Sequence, residues 1–323
     1  MPQSNRWMGV LIAMWLSTQA SVADAEEPTL DQVIKRVREN ERLYRNIEMT
    51  VEREYRSEAP VNAAIPPEKK KKSVATLVTT KIQVVHADGR FLYRADRSSE
   101  MPGIAKKEKS QTVGAWDGAR TRIFHRFSSG TYASIYDIRY LQWDVVMPNT
   151  LLMTKWNPKP LSKLLRIRDI PDTHYHWDVV GEEKVDGLDC VKLKFETVAA
   201  DSGRIIQRSI VWLAVNRNYQ PAKFVSYRPS HNVKLPHSIG RVAKFMRLKG
   251  TVWLPSKTEL VVYNSRELTK GRQVVNYRTA YTVKAATLNP KADDSMFKAA
   301  KIPKGAHVLE YRDGKVVKSY RQK

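Results

Sequence analysis

Hydrophobic and polar positions alternate with a period of two along most of the chain, most regularly over residues 177–227. There Val191, Leu193 and Phe195 fall on one side of an extended backbone, and Lys192, Lys194 and Glu196 on the other. That is the pattern of a strand with one dry and one wet face. Asp201, Ser202 and Gly203 supply a turn, residues 208–214 resume as a strand, and a second turn follows at 216–218. The same period recurs at 47–52, where Ile47, Met49 and Val51 alternate with Glu48, Thr50 and Glu52. It returns at 74–85, and at 90–95 with Phe91 and Tyr93 on one face, the two joined by a turn expected at 86–89. Residues 113–116 and 121–127 form a hairpin around Asp117-Gly118. Further strands are expected at 248–263, 273–285, 308–311 and 316–320, the last pair around Asp313-Gly314. Short turns and no helical crossovers join the strands of 177–227, so the expected class is mainly β (α+β), built on an antiparallel sheet.

The period changes near the start. Thr29 and Gln32 fit a capping box, and Leu30, Val33, Ile34 and Val37, with Tyr44, then share one helical face while Lys35, Arg36 and Arg38 lie mostly on the other. A one-sided sheet needs a cover, and this dry stripe needs a bed. Three segments break the pattern. Residues 59–72 carry three prolines and the run Lys69, Lys70, Lys71 and Lys72; residues 101–110 carry Lys106, Lys107 and Lys109; both read as solvated basic loops. Residues 132–170 hold Trp143, Leu151, Leu152 and Trp156 between prolines, with Leu161, Leu164 and Leu165 at helical spacing. This stretch reads as a helical, lid-like insertion across a sheet face. Residues 231–241 read as a polar loop. With no internal repeat and no clean linker, residues 26–323 are expected to form one domain.

Residues 1–25 have the form of a secretory signal. Arg6 supplies the basic region, residues 7–16 a short apolar core, and Ala23-Asp24-Ala25 the cleavage pattern. Cleavage after Ala25 and a periplasmic or secreted protein are therefore expected, a retained N-terminal anchor being the alternative. Cys190 is the single cysteine, which rules out an internal disulfide and points to a buried structural thiol. The formal net charge is +23, an excess that bears on partners more than on fold. Outside the cytoplasm the expected polyanions are an anionic membrane surface or an acidic polysaccharide; nucleic acid is not expected.

In the order of its features the chain resembles the LolA/LppX-like family of secreted lipoprotein and lipid carriers. The likeness rests on the helix leading into a strand over 30–51, on G-E-E-K-V-D-G-L-D-C-V-K-L at 181–193, and on V-W-L-A-V-N at 211–216 followed by Gln220-Pro221. It rests also on G-T-V-W-L-P-S at 250–256 and on the tail from Asp294 through Phe297 to Ile302-Pro303-Lys304-Gly305. The resemblance implies a strongly curved sheet, a half-barrel, with the helix and the insertion over its concave face and a cavity for acyl chains between them. It brings no catalytic residue with it.

Trp143, Leu151, Leu152, Trp156, Phe91 and Tyr93 are the candidates for lining that cavity; the seven lysines of the two basic loops are the candidates for anion binding. His174 and His176 lie two apart, with Asp172 and Asp178 nearby. Positions i and i+2 of a strand share a face, so a metal site is geometrically open, but without a third strong ligand a polar strand edge is expected and no metal. Glu182 and Glu183 are expected in an exposed turn. No phosphate-binding loop, nucleophile elbow or zinc-protease motif occurs, and no cofactor is expected. The leading expectation is a non-enzymatic carrier or sensor of an acyl, lipid or other apolar ligand. The alternatives are an envelope-associated polyanion-binding protein and a hydrolase of envelope polymers.

Overall fold

The computed structural model describes residues 27–58, 76–100, 108–139, 161–166, 169–170, 172–298 and 300–323. The first meander comprises β1 (Ile47–Ser57), β2 (Thr76–Ala87), β3 (Arg90–Glu100), β4 (Glu108–Trp116), β5 (Thr121–Phe127) and β6 (Gly130–Tyr136), each antiparallel to the next. The second runs through β7 (Asp169–Ile170), β8 (Thr173–Val185), β9 (Leu188–Ala199), β10 (Ile205–Ala214), β11 (Gln220–Tyr227), β12 (Ser238–Arg247), β13 (Trp253–Tyr263) and β14 (Val275–Leu288). β1 pairs with β14 from Ile47↔Leu288 to Ser57↔Tyr277 and fuses the two meanders. Two more strands, β15 (His307–Arg312) and β16 (Lys315–Arg321), extend the sheet past β6, with β15 parallel to β6. Among the described residues the result is one open, curved sheet of sixteen strands. Register shifts at Thr50/Val51, Val179/Glu182 and Val242/Lys244 each add local bend and twist.

Helix α1 (Leu30–Glu41) begins at the expected capping box: the Thr29 side chain accepts from the Gln32 amide, and the Thr29 amide donates to Gln32 Oε1 at 2.8 Å. Val33, Ile34 and Val37 are buried on the concave face of β8–β12, where they meet Trp177, Val191, Leu193, Phe195, Val211, Leu213, Phe224 and Val242. Leu161 and Leu164 of the short helix α2 (Leu161–Leu164), with Leu165, join the same cluster. Each fully buried side chain of this kind contributes about 1.5–3 kcal/mol. A single 3-10 turn, Arg42–Tyr44, carries the chain from α1 toward β1, and Tyr44 tucks into a second concave cluster with Ile47, Met49, Val51, Ile82, Val84 and Tyr93. Helix α3 (Ser265–Thr269) caps the connection from β13 to β14. On the convex side, α4 (Asp294–Lys298) places Phe297 against Val85, Leu92, Val113, Ala115 and Phe124. Cys190 is 1% exposed in a second convex cluster with Trp212 and Ala222, and burial pushes its thiol pKa up to about 11. No helix among the described residues is long and apolar enough to cross a membrane.

Several expected boundaries shift. His86 and Ala87 belong to β2 rather than to a turn: Asp88 and Gly89, at φ 52° and 76°, make the whole reversal themselves, as a two-residue hairpin requires. Residues 108–110 open β4, so Lys109 stands on a strand and not in a loop, and 132–136 complete β6. Ser238 to Arg241 lie in β12. Glu182 and Glu183 lie within β8, where Glu183 accepts from Lys192 Nζ at 2.9 Å and Trp212 Nε1 at 3.1 Å.

Candidate functional site

The concave face ends in a cleft of about 630 Å³ at the junction of α1 and β1. Its walls come from five places in the chain. The last turn of α1 and the chain running into β1 supply Arg38, Glu41, Arg42, Tyr44, Arg45 and Asn46. The end of β2 and its hairpin supply His86, Asp88, Gly89 and Arg90. Arg139 follows β6, Ser162 and Lys163 come from α2, and Gln220 opens β11. Arg38, Arg42 and Arg45 are spaced four and three apart, so α1 and the tightened turn after it stack them on one side. The Asp88 amide donates to Asn46 Oδ1 at 3.0 Å and ties the hairpin to the helix–strand junction. Across the cleft, the Ser162 amide donates to Glu41 Oε1 at 3.0 Å, and the Ser162 hydroxyl donates to the other carboxylate oxygen, tying α2 to α1.

Among the described residues, six cations and two carboxylates line this space. Arg90 is compensated, since it pairs with Asp88 at 3.7 Å and with Asp294, and its guanidinium lies 4.5 Å over the Phe297 ring. Arg38, Arg42, Arg45, Arg139 and Lys163 have no ion pair among the described residues. Two polar side chains, each 4% exposed, also line the cleft: His86 and Gln220. His86 Nε2 and Gln220 Oε1 are buried and have no hydrogen-bond partner among the described residues. Burial, and then the nearby charge of Arg139, lower the His86 pKa to about 4, so the ring is neutral at pH 7. Tyr44 is fully engaged, donating to the Trp253 carbonyl, accepting from the Gln220 side-chain amide and lying 3.5 Å from Asn218 Oδ1; burial raises its phenol to about 12. A buried polar atom left unmade costs about 1–3 kcal/mol, and the uncompensated cations repel one another. Chemically, the cleft is ready for an anion that also offers hydrogen-bonding groups.

Of the residues singled out in the sequence, Phe91 and Tyr93 are buried on the concave face. Phe91 backs the cleft, its ring 6.3 Å from His86 and 6.0 Å beneath Arg139, whereas Tyr93 belongs to the core around Met49 and Val84. Trp143, Leu151, Leu152, Trp156, Lys69, Lys70, Lys71, Lys72, Lys106 and Lys107 lie outside the described residues. Lys109 is exposed and pairs with Ser98, while the cleft lies at the Phe91↔Trp116 end of the same two strands. Seven residues of strand separate these positions, about 23 Å. His174 and His176 are exposed on β8, Asp178 is engaged with Lys194 at 3.3 Å, and no metal-holding cluster occurs among the described residues. Sequence reasoning missed the cations of the cleft. The signal was the row Arg38, Arg42 and Arg45, a polar stripe with the same helical spacing as the apolar one.

No family model matches the chain, and no curated protein matches it. Among solved structures, it is similar to a LolA superfamily protein from Nitrosomonas europaea, at 13% identity over 84% of this chain and 97% of that one, with a TM-score of 0.41. It is also similar to a porin-like protein from Bacteroides uniformis, at 9% identity over 73% and 96% of the two chains, with a TM-score of 0.27.

Proposed function

We propose that this chain is a non-enzymatic carrier or sensor that binds an acidic, acyl-bearing ligand between its curved sheet and the helices over the concave face, with the acid group in the cleft. The observation that carries this is the cleft itself: five cations without ion pairs, and two buried polar atoms without partners, among the described residues, at the rim of a helix-covered concave surface. The LolA/LppX-like resemblance of the sequence supplies the lipid or lipoprotein acyl chain as guest. Each fully buried methylene is worth about 0.8 kcal/mol, so an acyl chain binds without any polar motif, and the cations need only hold its head. The secretory form of residues 1–25 supports this reading, because export would bring the protein to the periplasm or outside the cell, where such ligands are met.

The test is titration with a fluorescent long-chain fatty acid. Wild type is expected to bind saturably, and Arg42→Glu/Arg45→Glu to bind about tenfold or more weakly at low salt, the difference shrinking as salt is added. Trp143→Asp and Leu152→Asp are expected to weaken binding at any salt by removing apolar contact. Absence of saturable binding by wild type overturns the proposal. A second reading, polyanion binding through the surface, is favoured by the net charge of +23. It predicts that an acidic polysaccharide binds wild type and the double variant alike.

A further inference from the structure

The make-up of the cleft points to a narrower ligand class than an acid group. Its free cations arrive from separate elements: Arg38, Arg42 and Arg45 from α1 and the turn after it, Arg139 from beyond β6, and Lys163 from α2. A carboxylate has two oxygens in one plane and one charge, and it answers fewer of the donors supplied by these separate elements than a phosphate does. A phosphate monoester carries between one and two negative charges near pH 7 and three strong acceptor oxygens in a tetrahedral array. Arginine forks suit those oxygens two at a time. The space of about 630 Å³ falls within the roughly 300–1,000 Å³ of small-molecule sites, which leaves room for a head group beyond the phosphate.

The two buried polar side chains say what else the head group carries. Neutral His86 offers a donor or an acceptor at Nε2 according to its tautomer. Gln220 offers an acceptor at Oε1, its amide nitrogen being turned to the Tyr44 hydroxyl. A hydroxyl both donates and accepts, so it meets either side chain in either state. An apolar group would leave both unsatisfied, at the cost any buried unmade hydrogen bond carries.

We infer that the cleft binds a phosphate monoester with a free hydroxyl beside the phosphate, as in a glycerol phosphate head group. Arg42, Arg45, Arg139 and Lys163 hold the phosphate, and His86 and Gln220 take the hydroxyl. This rests on the cleft being the head-group site of the carrier proposed above. The same chemistry has two sources, a lipid head group and a soluble polyol phosphate, and an acyl chain separates them.

Calorimetric titration of the full protein with glycerol 3-phosphate, propyl phosphate, oleate and 1-oleoyl lysophosphatidate, the last two below micelle formation, tests the inference. Lysophosphatidate is expected to bind tightest. Glycerol 3-phosphate is expected to bind about tenfold more tightly than propyl phosphate, a difference that Gln220→Leu erases. Lys163→Ala, an exposed change that leaves the core intact, is expected to weaken both phosphates together. If lysophosphatidate binds no more tightly than oleate, or if Gln220→Leu and Lys163→Ala both leave all affinities unchanged, the phosphate inference is overturned; saturable oleate binding would still leave the carrier standing. If glycerol 3-phosphate and lysophosphatidate bind equally, the phosphate site stands and the acyl carrier falls.

Discussion

His86 combines burial, a neutral ring and an unpartnered Nε2 in a cleft of cations, so its titration is visible in stability. The sign follows from the depressed pKa. The unfolded imidazole takes up its proton near pH 6.5 and the folded one near 4, because burial and Arg139 disfavour the charged form. Above pH 6.5 the contribution is fully present; as pH falls from there toward 4 the unfolded chain binds more proton and the contribution is lost, to the extent of about 3 kcal/mol. Urea unfolding at pH 7.5, 5.5 and 4.5 is expected to show wild type losing stability toward acid more steeply than His86→Gln. Parallel curves for the two proteins would mean that His86 is neither buried nor depressed as described. Little of this residue's role was legible in the chain. His86-Ala87-Asp88-Gly89 has the composition of a turn, and only the positive φ angles at 88 and 89 show that two residues suffice and that His86 stays on the strand facing inward. Cys190 was legible, because a lone thiol within an alternating strand has one chemically quiet place to go.

Helix α1 does two jobs at once. Its apolar stripe lies on β8–β12 while its last turn brings Arg38 and Glu41 to the cleft. The stripe and the capping box were readable because both are local patterns, set by spacing within one turn of helix. The basic row at 38, 42 and 45 is equally local, but a charged stripe on a helix is ordinarily a solvated face, and only the opposing walls make it a site. Those walls come from residues 86, 139, 163 and 220, whose proximity no spacing records. Ile34 is buried at 1% exposure against the sheet. Ile34→Ala is therefore expected to cost about 2–5 kcal/mol, and Thr29→Ala about 1 kcal/mol through the lost cap. Chemical denaturation measures both, and a loss below 1 kcal/mol for Ile34→Ala would mean that α1 does not hold to the sheet.

The whole molecule is two meanders fused along β1 and β14, with the C-terminal strands added in parallel to β6. Alternation along the chain announces strands but not their neighbours. The hairpin partners follow from short turns, whereas the β1–β14 and β6–β15 pairings join positions far apart in sequence and became visible only in three dimensions. The same fusion sets the distribution of charge. β1, β2, β3 and β4 run side by side, so the strand ends at Ser57, Thr76, Glu100 and Glu108 lie together, at the end of the sheet opposite the cleft. Lys109 of β4 lies at that end, and the cations of the cleft are a separate group. The central claim is that this second group holds the acid head of a bound acyl compound. Native mass spectrometry of the protein isolated from its own host, beside an Arg42→Glu/Arg139→Glu variant expressed in the same host, tests it most directly. The account predicts wild type carrying one equivalent of an acidic acyl compound and a folded variant carrying little or none. A wild type free of ligand, or a variant loaded to the same extent, would contradict it.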